Sequence, residues 1–420
     1  MLFDVPLFES KWSFLKGRKI FVGISGGVDS VVLLRLFVLC GFNVEALHVN
    51  YQLRGEESDK DEVFVRGLCD SLNIQLNVKK VNTNLMLKQN GGNLQDMARK
   101  IRYEFFQSFL DQNENSLVAI AHHQDDQIET FFLNLARKSG LRGMSCMLEI
   151  DEFKIRPLLS FSKEEIIQIA KSNKWDWRED QSNQSLKYSR NLFRNKFIPE
   201  MIENVPDLKD SVLTSIQLFQ RELKQIQNSV GHLSLTCMNS GFLNLDDFKG
   251  LTEFQQVELL FMLGLNSSEI QSLNKLIDSQ KGKYIETKKI QRIFKEKDGF
   301  SFEKFFPRVV FKMDIKKTNS LPADFTKDEL YFDADLIKGE IRLRSWLQHD
   351  RISPIGLKGS KLISDVLYDI TIKSIERMQW SVLVDDEGIL SCPFFSISKQ
   401  KIATQNSKNI ICVKIERVYS

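Results

Sequence analysis

Residues 19–30 have the sequence KIFVGISGGVDS, in which a continuous apolar run leads into a Ser-Gly-Gly turn. A run of this kind suits a strand that is covered on both faces, as in a parallel sheet. The apolar run VVLLRLFVL (31–39) follows, and it is too short, and interrupted by Arg35, to cross a membrane. We therefore predict a strand, a tight loop and a buried helix, in that order.

The same alternation continues beyond this stretch. Two helices are predicted: an amphipathic one at 94–110, and one at 162–173 that opens with a capping box from Ser162 to Glu165. Further short strands are predicted at 44–50, 73–81, 116–123 and 153–159. Strands that alternate with helices are typical of an α/β protein with a doubly wound parallel sheet, Rossmann-like in outline. We predict that fold for the first part of the chain.

The 420 residues exceed the size of an ordinary single domain, and the pattern changes along the chain. Apolar residues recur at helical spacing between 208 and 226. Residues 340–346 alternate as a half-buried strand does, and two apolar runs flank an Asp-Asp-Glu-Gly turn at 385–388, as in a hairpin. We predict three domains: the α/β domain at 1–204, a mainly helical middle domain at 205–330 and a small α+β domain at 331–420.

Composition narrows the class of protein. With 42% hydrophobic and 27% charged residues the chain is globular, and its net charge of +3 leaves nucleic-acid binding to local basic patches such as 171–196 and 341–420. The six cysteines stand singly, which argues against a zinc ribbon, an iron–sulfur centre and a disulfide framework. The first 14 residues lack the layout of a secretory signal. We therefore predict a cytoplasmic protein without a membrane span.

The hexapeptide Ser25-Gly26-Gly27-Val28-Asp29-Ser30 has the chemistry of an anion site. Its glycines let backbone N–H groups approach an anion, its serines add hydroxyl donors, and the following helix adds its N-terminal donors. The loop has no Gly-Lys-Ser/Thr ending, so it differs from the Walker loop, which holds the terminal phosphates with a lysine. An ordinary capped strand–helix turn is the alternative. The whole hexapeptide after a buried strand favours a phosphate-binding loop.

Residues 121–144, AHHQDDQIETFFLNLARKSGLRGM, place carboxylates just after a predicted strand. Asp126 and Glu129 are three residues apart and share one face of a helix, with Asp125 at its edge. Carboxylates at the start of such a helix suit Mg²⁺ beside nucleotide phosphates, or accept a proton from an attacking amine. A polar helix cap is the alternative interpretation.

His122 and His123 stand at the end of the same strand, where ligands bind in this fold class. Two histidines that merely satisfy a helix cap are the alternative. A zinc site is less favoured, because adjacent histidines point apart and no third soft ligand accompanies them. On the opposite side of the helix we expect an apolar stripe that faces the core: Ile128, Phe132 and Leu135.

Two motifs resemble known families. SGGVDS resembles the pyrophosphate loop of the N-type ATP pyrophosphatases, which split ATP into AMP and pyrophosphate and adenylate a substrate oxygen. AHHQDDQIET resembles the more specific AHHxDDQxET stretch of tRNA(Ile)-lysidine synthetases. Further segments resemble the same family: HVNYQLRGEES (48–58), MARKIRYEFF (97–106), RPLL (156–159), REDQSN with SRNLFR (178–194) and the region 343–390. The chain departs from that pattern at Tyr51, where histidine is usual, and at Lys138, where glycine is common after Arg137.

The resemblance implies a PP-loop ligase that uses ATP and Mg²⁺. Such an enzyme adenylates the C2 oxygen of cytidine 34 in the CAU anticodon of tRNA(Ile). The ε-amine of free lysine then displaces AMP to form lysidine, so that the tRNA decodes AUA instead of AUG. A homodimer is a further expectation.

The resemblance also implies site residues. Catalytic roles are implied for Asp29, Arg102, His122, Asp126 and Glu129. Asp126 and Glu129 would also hold Mg²⁺, and the choice of general base stays open between Asp126 and the other carboxylates. Contacts to tRNA are implied for seven basic residues: Arg190, Arg194, Arg351, Lys358, Lys361, Lys373 and Arg377.

Two other functions fit part of the pattern. A tRNA thiolase would use the same adenylation, but it needs paired cysteines or an iron–sulfur cluster, and Cys40 and Cys69 lie in apolar helical surroundings that indicate packing. An RNA-binding module with a decayed nucleotide site would have lost parts of the loop or of the acidic cluster. Both are intact in this sequence.

Overall fold

The computed structural model describes residues 4–53, 55–90, 93–179, 189–369 and 372–419. It contains two compact units, Met1–Leu223 and Lys224–Ser420, and the division falls within one long helix, Leu208–Ser240. The three-domain division at residues 204 and 330 stays a prediction. No helix in the described part of the chain is long and apolar enough to cross a membrane.

Strands and helices alternate through the first unit. Its elements, in chain order, are α1 (Val5–Lys11), β1 (Lys19–Gly23), α2 (Val28–Leu39), β2 (Asn43–Asn50), α3 (Glu56–Leu72), β3 (Leu76–Lys80), α4 (Thr83–Asn90), α5 (Leu94–Leu110), β4 (Leu117–Ala119), α6 (Gln124–Ala136), α7 (Leu141–Met144), β5 (Ile150–Asp151), β6 (Lys154–Ile155), α8 (Lys163–Ser172), α9 (Ser189–Leu192), a π-helical turn (Phe193–Phe197), α10 (Ile198–Asn204) and α11 (Leu208–Ser240). The strands form one sheet in the order β3-β2-β1-β4-β6-β5, parallel except for β5. The predicted doubly wound parallel sheet is thereby confirmed.

Strand β1 lies at the centre of this sheet, and its apolar side chains enter cores on both faces. Ile20 and Val22 pack with residues of α2, whereas Phe21 packs with Phe106 of α5 on the other face. From β1 the chain runs to β2 and β3 on one side, and it then returns to β4 on the other side. The topological switch therefore lies between the carboxyl ends of β1 and β4, where open α/β sheets bind their ligands.

The helix predictions hold in most details. Helix α5 has the predicted bounds, and α8 begins with the predicted capping box: Ser162 Oγ accepts the N–H of Glu165 at 3.1 Å, and the Glu165 carboxylate accepts the N–H of Ser162 at 2.8 Å. The apolar stripe of α6 was predicted one turn too long. Ile128 is buried, but Leu135 is 54% exposed, because the last turn of α6 extends beyond the core that Ile128 enters.

The second unit contains short helices and antiparallel strands. Its elements after α11 are β7 (Phe242–Asn244), α12 (Leu245–Lys249), α13 (Glu253–Met262), α14 (Ser267–Leu276), β8 (Tyr284–Thr287), β9 (Gln291–Lys295), β10 (Gly299–Phe302), β11 (Val309–Thr318), β12 (Glu329–Asp333), β13 (Arg342–Ser345), β14 (Arg351–Ile352), β15 (Lys361–Leu362), α15 (Ile363–Tyr368), α16 (Ser374–Met378), β16 (Ser381–Val384), β17 (Ile389–Cys392), β18 (Ser396–Ile397) and β19 (Ile410–Tyr419). The helices of the middle region share a core with a four-stranded sheet, β7-β10-β9-β8, that the sequence did not predict. The strand predicted at 340–346 is β13, and the predicted hairpin is the antiparallel pair β16 and β17.

Candidate active site

The phosphate loop begins where β1 ends, and hydrogen bonds close it on itself. The Ser30 hydroxyl donates to the carbonyl of Gly27 at 2.9 Å and accepts the backbone N–H of Ser25 at 3.1 Å. The Ser25 hydroxyl accepts the N–H of Gly27 at 3.3 Å. Gly26 has φ of +93°, a conformation that glycine adopts readily and other residues do not. The loop and the start of α2 therefore offer backbone N–H groups to an anion at the carboxyl end of β1.

Asp29 is the charged residue of the loop, and two cationic groups face its carboxylate. Nζ of Lys163, the first residue of α8, lies 2.6 Å from Oδ1 and 2.8 Å from Oδ2 of Asp29. Nε2 of His123, which precedes α6, lies 3.9 Å from Oδ2 of Asp29. The starts of α6 and α8 thus meet the phosphate loop at the switch point.

Asp126 and Glu129 lie side by side on α6 and share one guanidinium. Glu129 is 1% exposed and Asp126 is 6% exposed. Nη2 of Arg194 lies 2.9 Å from Asp126 Oδ1 and 3.0 Å from Glu129 Oε2, and its Nε donates to Glu129 Oε1. Burial disfavours the charged guanidinium, but Glu129 and Asp126 outweigh burial and raise the pKa of Arg194. Arg194 therefore balances one of the two negative charges of the acidic pair.

Asp125 lies next to this pair and orients the neighbouring groups. Its Oδ2 accepts the backbone N–H of Lys163 at 2.9 Å, and its Oδ1 accepts Nζ of Lys209 at 3.0 Å. Burial alone would raise the pKa of Asp125, but the nearby His123 ring and the bonds from Lys163 and Lys209 hold that pKa well below its usual range. Asp125 is thus an anion that fixes the surrounding cations.

His123 is buried among three carboxylates. Its Nδ1 lies 3.5 Å from Asp125 Oδ2, and its Nε2 lies 3.5 Å from Asp126 Oδ2. Burial lowers the pKa of an imidazole, but the neighbouring carboxylates of Asp125, Asp126 and Asp29 prevail and raise the pKa of His123. Of the two adjacent histidines, His123 therefore connects the phosphate loop to the acidic cluster.

The sequence of this chain is similar to those of known proteins. The sequence model of the PP-loop domain matches residues 6–201. The tRNA(Ile)-lysidine synthase of Bacteroides thetaiotaomicron is 33% identical to this chain over 389 residues, which are 90% of each protein. The chain belongs to the tRNA(Ile)-lysidine synthase family.

Two further relatives and one solved structure are also similar to this chain. The tRNA(Ile)-lysidine synthase of Bacillus subtilis is 28% identical over 89% of each protein. That of Parabacteroides distasonis is 28% identical over 93% of this chain and 94% of its own. Among solved structures, the U34-tRNA thiolase NcsA from Methanococcus maripaludis has 19% identity and a TM-score of 0.42, over 52% of this chain and 78% of that chain.

Two further predicted catalytic residues are Arg102, which lies in α5, and His122, which follows β4. His122 is half-buried and directly precedes His123. The Arg102 guanidinium lies 5.6 Å from the ring of Tyr103, and its charge acts on the hydroxyl of Tyr51, whose pKa burial raises. Tyr51 donates its hydroxyl proton to the carbonyl of Ala98 at 3.1 Å. The tyrosine thus links β2 to α5 beside Arg102.

The predicted tRNA contacts fall into different surroundings. The side chain of Arg190 lies outside the described residues. The guanidinium of Arg194 contacts the carboxylates of Asp126 and Glu129. Lys358 is exposed, Arg351 donates to the carbonyl and hydroxyl oxygens of Ser360, and Lys361 pairs with Asp369. These last three lie together around the β14–β15 pair.

Lys373 and Arg377 are packed into the second unit. Nζ of Lys373 lies 3.3 Å from the ring centre of Phe242, and burial lowers the pKa of this lysine. Arg377 donates to the Ser374 hydroxyl at 2.8 Å, and its guanidinium lies 5.3 Å from the ring of Tyr368. Both side chains therefore contribute to packing around the start of α16.

The fit of Mg²⁺ to Asp126 and Glu129 is poor in this arrangement. Arg194 occupies both oxygens of Glu129 and one of Asp126, and the second Asp126 oxygen accepts the backbone N–H of His123 at 3.0 Å. No group of three or more His, Cys, Asp or Glu side chains in the described residues is arranged to hold a metal ion. A cation between these carboxylates would have to displace Arg194.

The sequence analysis missed two members of the site and gave a third a different role. Lys163 and Lys209 bind Asp29 and Asp125 from helices that begin 134 and 84 residues further along the chain. Arg194 was found, but its motif suggested a basic face toward RNA. Only the order of strands in the sheet brings these residues together, so no local spacing in the sequence identifies them.

Proposed function

We propose that this chain joins free L-lysine to cytidine 34 of a tRNA(Ile) with a CAU anticodon, at the expense of ATP, and releases AMP and pyrophosphate. It is a carbon–nitrogen ligase of tRNA modification. The observation that carries the proposal is the meeting of the phosphate loop and the acidic cluster between β1 and β4, in a chain of the lysidine synthase family. The PP-loop domain supports ATP as the nucleotide.

In the first half-reaction, the C2 oxygen of the cytidine forms a bond to the α-phosphorus of ATP. The bond from that phosphorus to the bridging oxygen breaks, and pyrophosphate leaves with the electron pair. The cytidine must be unstacked from the anticodon for this chemistry. We place the phosphates on the Ser25–Ser30 loop and assign to Arg102 the stabilisation of charge that develops on them.

In the second half-reaction, the ε-amine of lysine attacks C2 of the cytidine and AMP leaves. Asp126 and Glu129 hold the guanidinium of Arg194 here, and the ammonium of a bound lysine would have to take its place. The amine must lose a proton before it attacks. We assign that proton to a carboxylate of the cluster, Asp126 or a neighbour, and propose a catalytic role for His122 as well.

Magnesium belongs to the proposal as the companion of the ATP phosphates. Mg²⁺ in proteins is usually bound by substrate phosphates, water and one or two carboxylates. Asp126 and Glu129 would bind Mg²⁺ only after the guanidinium of Arg194 has moved away from their carboxylates. No step above depends on that pair as metal ligands.

The tRNA contacts in the second unit are proposed for Arg351, Lys358 and Lys361, which surround the β14–β15 pair. Lysines and arginines of this kind contact phosphates and position an RNA without selecting its sequence. For Lys373 and Arg377 we propose a structural role. We also propose the cytoplasm as the location and a homodimer as the assembly.

The decisive experiment mixes the purified protein with Mg-ATP, labelled lysine and an unmodified tRNA(Ile) transcript with a CAU anticodon. The matched control is the same transcript with cytidine 34 changed to uridine. We expect stable lysine incorporation, with AMP release, into the first transcript only. Pyrophosphate release that depends on tRNA but brings no lysine into the tRNA would reject lysine as the nucleophile.

A tRNA thiolase remains the second candidate by fold, but the cysteines do not favour it. All six are free and stand apart, and burial raises the pKa of Cys69 to about 11 and those of Cys146, Cys237 and Cys392 to about 12. A thiol with so high a pKa is a poor nucleophile at neutral pH.

A further inference from the structure

Arg102 lies one helical turn from a close contact between α5 and β1. The last residue of β1 is Gly23, and a Cβ there would lie only 2.9 Å from Cζ of Phe106. Because β3 and β4 are strands of the same parallel sheet, α5 carries the chain back from carboxyl ends to amino ends. Arg102 precedes Phe106 by four residues, about 6 Å along a helix. It is therefore displaced from Gly23 toward the edge of the sheet that bears the phosphate loop.

The guanidinium of Arg102 has little to hold it in place. Its Nε is buried and has no hydrogen-bond partner among the described residues, and the guanidinium lies 5.6 Å from the ring of Tyr103. An arginine side chain has several rotatable bonds and loses much conformational freedom when it is fixed. The position of this guanidinium therefore depends on how firmly the helical turn beneath it is held.

Tyr51 holds that turn from the carboxyl end of β2. Its hydroxyl donates to the carbonyl of Ala98 at 3.1 Å. In an α-helix this carbonyl also accepts the N–H four residues later, which here belongs to Arg102. Burial raises the pKa of Tyr51 and the charge of Arg102 opposes that rise, so the two side chains lie close together. The hydroxyl keeps its proton at neutral pH and remains a donor to the α5 carbonyl.

The backbone around Tyr51 is itself anchored to two helices. The Tyr51 carbonyl accepts the hydroxyl proton of Thr83 at 2.8 Å and its N–H at 3.3 Å, and Thr83, the first residue of α4, is buried. The side chain of Asn50 donates to Glu62 of α3 at 2.9 Å and accepts the N–H of Gln52 at 3.0 Å. The Tyr51 ring therefore starts from a fixed point, as a group that positions another residue requires.

We propose that Tyr51 is a positioning residue for Arg102 in the adenylation step. Through the Ala98 carbonyl, its hydroxyl fixes the turn of α5 from which the guanidinium approaches the phosphates on the Ser25–Ser30 loop. The inference rests on the proposed function, in which Arg102 stabilises the charge that develops as pyrophosphate leaves. Tyr51 acts only through Arg102 and transfers no proton. A cation fixed in this way does not have to reorient as the transition state forms.

The first comparison is Y51F with wild-type protein in tRNA-dependent pyrophosphate release. Phenylalanine keeps the ring and removes the hydroxyl. We expect kcat to fall by about fivefold, the effect of losing one neutral hydrogen bond. The KM for ATP should change little, because the charge that Arg102 stabilises develops only in the transition state. A wild-type kcat in folded Y51F would overturn the inference.

A double-mutant cycle with R102M tests whether Tyr51 acts through Arg102. R102M alone should release pyrophosphate more slowly than wild type. In the R102M background, Y51F should cause no further loss, because the group that Tyr51 positions is already absent. A fivefold loss in that background as well would show that Tyr51 acts by another route. A wild-type rate in R102M would remove Arg102 from the reaction and the inference with it.

The matched control is Y331F. Tyr331 also donates its hydroxyl, to Glu329 at 2.9 Å, but it lies in β12 of the second unit. Both variants should melt slightly below wild type, and Y51F alone should be slow. If Tyr51 only supported the fold, both variants would lose a little thermal stability and keep their kcat. A wild-type protein that releases no pyrophosphate with any tRNA overturns the proposed function instead.

Discussion

Glu129 is a buried carboxylate whose charge needs a close cationic partner. Its carboxylate is 1% exposed, and a charge so far from water is stable only with a close partner. Arg194 provides that partner with two guanidinium nitrogens, in the fork geometry that suits a carboxylate. If Glu129 or Arg194 were replaced by a neutral residue, the charge of the other would be unpaired at a site with little access to water.

We expect R194M to lower the free energy of unfolding by about 2 kcal/mol, less than for a fully buried pair because water reaches Arg194. Urea unfolding measures this change. K196M, which alters an exposed neighbour, should leave stability nearly unchanged. The double variant E129Q/R194M should recover part of the loss, since it removes the uncompensated charge. Equal midpoints for R194M and wild type would contradict the compensation that we describe.

His123 makes stability depend on pH. Its pKa lies above the ordinary value of 6.5 in the folded protein, despite burial, because of Asp125, Asp126 and Asp29. The protonated ring therefore contributes stability that is complete below about pH 6.5 and is lost as pH rises through the folded-state pKa.

The corresponding prediction compares wild-type protein with H123N. The stability advantage of the wild type in urea unfolding should be larger at pH 6 than at pH 9. H349N, which alters an exposed histidine of the second unit, should show no such trend. A gap between wild type and H123N that widens toward pH 9 would show that His123 is neutral in the fold.

At the scale of elements, sequence patterns predicted long, periodic segments best. Helix α5 was predicted to the residue, because seventeen residues carry one consistent apolar face. The strand predicted at 116–123 is reduced to Leu117–Ala119, since the chain leaves the sheet to begin the site. The sheet of β7 to β10 was missed, because strands of three to five residues with mixed polarity have no clear period.

Lys138 marks the end of helix α6. It has φ of +56°, in the left-handed region that favours glycine. A side chain in this left-handed conformation costs about 1–2 kcal/mol. Glycine removes that cost but adds about 0.5–1 kcal/mol of backbone entropy.

We therefore expect K138G to raise the free energy of unfolding by about 0.5–1 kcal/mol. Thermal melting and urea unfolding both measure it. The control is K138A, which keeps a Cβ and so should give no such gain. Stabilisation by alanine equal to that by glycine would show that charge, not backbone conformation, decides stability there.

At the scale of the whole molecule, the sheet topology was predictable from the sequence, whereas the long-range ion pairs of the site were not. The rule that ligands bind at the switch point correctly placed the phosphate loop and the α6 cluster together. The ion pairs that complete the site join residues 65 to 134 positions apart, and no local pattern records them. The motif resemblance identified the acidic residues of the site. Their cationic partners Lys163 and Lys209 are brought to them by the packing of α8 and α11.

The second unit offers a prediction about RNA binding. Each lysine that contacts a phosphate releases bound counterions, so its loss reduces the dependence of affinity on salt. We expect K358A to weaken tRNA binding and to reduce the slope of log K against log salt by about 0.7–0.9. K249A, which removes an exposed lysine from α12, should change neither quantity. An unchanged slope in K358A would remove that residue from the tRNA surface.

The most direct test of the central claim is nucleoside analysis by mass spectrometry of tRNA(Ile) transcript incubated with the protein, Mg-ATP and lysine. D29A, which alters the phosphate loop and is expected to fold, serves as the inactive control. We predict lysine bonded to C2 of cytidine 34 with wild-type protein, and unmodified cytidine with D29A. Unmodified cytidine 34 with folded wild-type protein, or lysine attached at any other position, would contradict the account.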